Sequence, residues 1–101
     1  MADIRKALEA VIVRILEGEG RASHAQRRSA FDNAAQGEPL ATLIRKLTKR
    51  ASEVTDEDFA AVRAAAFGED QIFEIVVCAT VGHANRQHEL ALAALESIPK
   101  E

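Results

Sequence analysis

The chain has 101 residues, 48% of them apolar and 29% charged, which describes one small folded domain and leaves no room for two. The 13 Lys and Arg against 16 Asp and Glu give a net charge of −3, which argues against a uniformly basic nucleic-acid binder. A single cysteine, Cys78, excludes an internal disulfide, a CxxC redox pair and a four-cysteine zinc site, and four Phe with no Tyr or Trp leave little aromatic surface for stacking.

Every strong periodicity along the chain is helical. The first segment runs from Asp3 to Glu17, where Ile4, Leu8, Val11, Ile12, Ile15 and Leu16 recur at spacings of three and four and share a face. Charges throughout this segment separate it from a signal peptide or a membrane span, so a cytoplasmic protein with a reduced thiol is expected. Gly18 and Gly20 end it. A second helix starts at Ser23, with Gln26 placed for a capping box, Ala30, Phe31 and Ala34 as its apolar face, and Gly37 as its end. Pro39 suits the first turn of a third helix reaching to about Ser52, with Leu40, Leu43, Ile44, Leu47 and Ala51 on one side.

Thr55 caps a fourth helix, and Asp56, Glu57 and Asp58 occupy its first turn, where the helix dipole favours acids. Phe59, Val62 and Ala66 line its buried side, and Phe67-Gly68 ends it. The fifth segment, Asp70 to about Ser97, contains no proline and one glycine, Gly82. Its first half is apolar nearly all round, as in a helix buried on several sides, and its second half is amphipathic through Leu90, Ala91, Ala94 and Leu95. The run Ile75-Val76-Val77 has no partner strand and is read as helix. The fold class is therefore all-α, an array of about five helices in one domain covering 1–101, with a long C-terminal helix. So small an array leaves apolar faces uncovered, and a homo-oligomer is expected.

At about 100° per residue, Glu74, Cys78, Asn85, His88 and Glu89 fall on one side of the long helix. Buried polar groups need partners. The strip reads as a small polar pocket with Glu74 exchanging a proton, or as a structural network between helices or subunits. Cys78 reads as a nucleophile, in the manner of a single-cysteine peroxidase, or as an inert buried thiol with no adjacent cation. His83 and His88 are five residues apart, the wrong spacing for a shared metal on a helix, and are candidates for proton carriers instead. Arg45, Lys46, Lys49 and Arg50 form a basic face with no aromatic platform, suited to pairing with the acidic helix that follows. No GxGxxG, P-loop, HExxH or GxSxG pattern occurs, so no cofactor or metal is implied.

The stretch Val54 to Leu95 resembles the C-terminal part of the carboxymuconolactone decarboxylase and alkylhydroperoxidase D superfamily. The shared features are a capped VTDEDF helix, then a long helix opening with Gln71, Ile72 and Glu74 and carrying Asn85-Arg86 and Ala91-Leu92. Redox members carry a CxxC on a preceding helix, which this chain lacks. The resemblance implies a diverged, non-redox protein of that fold with a small-molecule pocket. Glu74, Cys78 and His83 are the candidate catalytic residues. Asn85, Arg86 and His88 are the candidate binding residues, with Arg86 clamping the carboxylate of a small organic acid. The alternative is a non-catalytic helical subunit for oligomerisation or interaction. No nucleic-acid or membrane partner is implied.

Overall fold

The computed structural model describes residues 2–34 and 36–99. These residues form five α-helices and one 3-10 turn with no strand, so the all-α reading holds: α1 (Ala2–Glu17), α2 (His24–Phe31), α3 (Leu40–Lys49), the turn Ala51–Glu53, α4 (Asp56–Ala64) and α5 (Glu69–Glu96).

α1 stops at its glycine, with Gly18 N donating to Arg14 O at 2.9 Å. Ser23 caps α2 as expected, its Oγ accepting from Gln26 N at 3.0 Å. Only half of the expected capping box forms. The Gln26 side chain turns to α5 instead, where its Oε1 accepts from Gln71 Nε2 at 2.9 Å. α2 also ends earlier than Gly37. Asn33 takes the left-handed conformation (φ 56°), and Ala34 N and Asn33 N donate back to Ser29 O and Ala30 O. This 6→1 and 5→2 pair closes the helix with asparagine in the place glycine usually takes, and it leaves Ala34 exposed rather than on the apolar face.

α3 begins at Leu40, one residue after Pro39, and Glu38 satisfies its first turn. The Glu38 carboxylate accepts from Thr42 N at 2.9 Å and Thr42 Oγ1 at 2.7 Å, which hold its carboxyl below the ordinary value. Arg50 leaves helical geometry (φ −146°, ψ 61°), so α3 does not reach Ser52, and Ala51 falls in the exposed 3-10 turn instead of on the buried face. Leu40, Leu43 and Ile44 are buried. Around the N-terminus of α4 a complete capping box forms, Thr55 Oγ1 accepting from Asp58 N and Asp58 Oδ2 accepting from Thr55 N. Lys46 Nζ reaches both Asp58 oxygens at 3.0 and 3.1 Å, so one cation of the basic face pairs with the acidic helix. Val62 is buried and Phe59 half-buried, but α4 ends at Ala64. Ala66 therefore lies beyond the helix, exposed and left-handed (φ 74°).

α5 runs unbroken for 28 residues through Gly82, about 42 Å at 1.5 Å per residue. Ile72, Ile75, Cys78, Ala79 and Gly82 face the core, joined there by Leu16, Ala30, Phe31, Leu43 and Val62. Burial on several sides does not extend to Phe73, which is 68% exposed, and the apolar face of the second half is also open, with Leu90 at 65% and Leu95 at 63%. The buried residues of α5 stop at Gly82, and among the described side chains of α1 only Leu16 is fully buried. Beyond them the two helices continue side by side and antiparallel, which gives a molecule 57 × 30 × 20 Å.

Candidate functional site

α2 lies on α5 in the same sense and is fastened by side chains at both its ends. At the start, the Glu74 carboxylate accepts from Arg21 N (2.8 Å) and Ala22 N (3.3 Å), the two residues ahead of the Ser23 cap. At the finish, Arg86 Nη1 donates to Phe31 O, the last carbonyl of the helix. An acid thus meets the N-terminal approach of α2 and a cation meets its C-terminus, the order the helix dipole favours. Glu74 and Arg86 are twelve residues apart, about 18 Å along α5, which spans the short α2 and its approach. Two glycines make the fit possible. A Cβ at Gly20 would overlap the Glu74 carboxylate, and one at Gly82 would overlap the Phe31 carbonyl.

Arg27 does the same for α1. Its Nη1 donates to Ile15 O at 3.1 Å, and the thiol of Cys78 donates to the same oxygen at 3.5 Å. Ile15 O belongs to the last turn of α1, where carbonyls lack helical partners and a cation is favourable. Arg27 is 3% exposed, and its Nε is buried without a partner among the described residues. Sequence reasoning missed it. The signal was its spacing of three and four from Ala30 and Phe31, which places it on the buried face of α2.

Cys78 is fully buried against α1. Desolvation pushes its thiol pKa up and Glu74 adds to this, while Arg27 works in the other direction. A thiol held protonated is a poor nucleophile. His83 is half-buried on the side of α5 opposite Glu74.

The strip read from the sequence does not converge on one cavity. Glu74 lines a space of about 140 Å³ with Arg14, Ile15, Glu19, Arg27 and Val77. Asn85, His88 and Glu89 line a different space, a groove of about 750 Å³ between α1 and α5. The rest of its wall is Ile4, Arg5, Leu8 and Val11 from α1 and Val81, Ala84 and Leu92 from α5. Arg86 belongs to neither, being committed to Phe31 O. Angle around the helix axis put Glu74 and Asn85 on one side, but eleven residues of rise, about 16 Å, separate them along it. Among the described residues no cluster of three or more His, Cys, Asp or Glu is arranged to hold a metal ion, and no helix is long and apolar enough to cross a membrane.

Compared with known proteins, the chain matches no family model, no curated protein and no solved structure.

Proposed function

We propose that this chain is a non-catalytic helical assembly subunit whose α1–α5 face is covered by a second copy of itself. The observation that carries this reading is the 750 Å³ groove, walled mostly by aliphatic side chains, of which Ile4 and Val11 are exposed, with Leu95 exposed as well further along α5. An open patch of this kind marks an interaction site. Two antiparallel helices offering one apolar face are half of a four-helix bundle, and a twofold axis supplies the other half from the same sequence.

The organic-acid reading fares less well on the same geometry. Both Glu74 oxygens are engaged by backbone amides, and Arg86 is spent on a backbone carbonyl. Gln71, Glu74 and Arg86, three of the residues that carry the resemblance to the carboxymuconolactone decarboxylase and alkylhydroperoxidase D superfamily, act here as fasteners between α5 and the α2 region. That role needs no substrate.

Sedimentation velocity on the full chain tests the proposal. The expected species has twice the 11.0 kDa mass of the chain at micromolar concentration, and Leu95→Lys shifts it to the single-chain mass with helicity retained. A single-chain species for the unaltered protein overturns the proposal. A thermal shift with small carboxylates that disappears in Arg86→Gln would restore the ligand-binding reading.

A further inference from the structure

The groove lies beside a second regularity of α5. Val77, Val81, Ala84, His88, Ala91 and Leu95 follow one another at spacings of four, three, four, three and four. That is a heptad seam, the pattern by which helices pack over long distances. Ile4, Leu8, Val11 and Ile15 of α1 repeat it at four, three and four. The seam of α5 is centred about 180° around the helix from Ile75, Ala79, Gly82 and Arg86, four of the residues by which α5 meets the core and α2. It is half-buried at Val77 and Val81, next to the end of α1, and exposed from Ala84 onward.

Resting on the self-assembly reading above, we infer that two copies meet by antiparallel pairing of their α5 helices, in the register that sets Ala84 against Leu95 of the second copy and His88 against its Ala91. Three observations select this arrangement. First, among the heptad-spaced antiparallel registers that obey twofold symmetry and keep seam residues opposite seam residues, this one pairs the exposed positions Ala84, His88, Ala91 and Leu95 wholly with one another and leaves the half-buried Val77 out. The axis then passes between Glu89 and Leu90. Second, it alternates large and small across the contact. Leu95 meets Ala84 and the imidazole meets Ala91, so the layers fill evenly. A parallel pairing would set Ala on Ala at two layers, leaving gaps, and would stack imidazole on imidazole. Third, each copy carries a net charge of −3, yet the residues flanking the exposed part of the seam are uncharged. Thr80, Gln87 and Ala94 lie on one flank, Asn85 and Leu92 on the other. Like-charged copies therefore approach through a neutral strip. Antiparallel pairing also brings Leu95 of the second copy to the groove that Ile4, Leu8 and Val11 leave open beside Val81 and Ala84.

Pairwise crosslinking tests the register. In a Cys78→Ala background, a His88→Cys chain and an Ala91→Cys chain are oxidised separately and as a mixture, each first shown by circular dichroism to keep its helicity. The expected result is a disulfide-linked heterodimer in the mixture, at least tenfold above the linked homodimer of either chain alone. Linked homodimers in the separate samples, with no gain on mixing, mean parallel pairing and overturn the inference. Dimeric sedimentation without crosslinking overturns the register alone and leaves self-assembly standing. Single-chain sedimentation of the unaltered protein overturns both.

Discussion

Gly82 sets how closely α2 can lie on α5. A Cβ built there comes within 2.7 Å of the Phe31 carbonyl carbon, a backbone atom that cannot swing aside as a side chain would. The same carbonyl accepts from Arg86, so displacing it strains that bond as well. Helix propensity alone would make Gly82→Ala stabilising by about 1 kcal/mol. Overpacking costs about 1–3 kcal/mol, and a hydrogen bond from a charged donor contributes about 1.5–3 kcal/mol. The steric and hydrogen-bond losses outweigh the propensity gain, and Gly82→Ala is expected to destabilise the fold by about 2 kcal/mol in urea unfolding. A gain in stability would show that α2 does not rest on α5 at this point. Glu74 follows the same logic with Gly20. Its two oxygens are held by backbone amides because the facing residue has no side chain to keep them away.

Each helix end has its own electrostatics, and the start of α4 is the fullest example. Asp58 accepts from Thr55 N and from Lys46 Nζ, and these contacts hold its carboxyl below the ordinary value against a smaller opposing effect of burial. Because the folded pKa is depressed, the stabilisation is complete above the unfolded carboxylate value and is lost as pH falls through the folded one. Asp58→Asn is therefore expected to lower Tm near neutral pH and to flatten the acid side of the Tm–pH curve. A parallel downward displacement of the whole curve would count against the assignment. Elements of this kind were legible in the sequence. Thr55 with three acids, the glycine after Glu17 and the proline-free run to Ser97 each announce a local backbone choice. The ends of α2, α3 and α4 were not legible, because Asn33, Arg50 and Ala66 leave helical geometry where no glycine or proline marks the stop. The roles of Glu74 and Arg86 were also hidden. Their partners are backbone atoms 53 and 55 residues away, and no pattern of residue types encodes a main-chain carbonyl or amide.

At the scale of the molecule, the long helix has two unequal halves. Residues 72–82 of α5 are held by α1, α2 and α3, whereas most residues from Gln87 to Glu96 are exposed. An isolated helical stretch of some ten residues is marginal in water, because helices in proteins draw most of their stability from packing of an apolar face. In a single chain, the last turns of α5 should therefore open readily, while the first turns open only with the whole fold. Pairing of two copies changes the second half alone, since Ala84, His88, Ala91 and Leu95 gain a covering that Ile75 and Ala79 already have from their own chain. Association stabilises whatever it covers by an amount that grows with concentration. Amide hydrogen exchange measured at low and high protein concentration should thus show protection from about residue 85 to residue 96 rising with concentration. Protection of Ile72 to Ala79 should rise only to the extent that dimerisation stabilises the fold as a whole. In Leu95→Lys, exchange in the last turns should be fast at every concentration. Equal protection of both halves in dilute solution would mean that the single chain supports its own overhang. The apolar groove beside α1 would then have no need of a second copy to keep α5 whole.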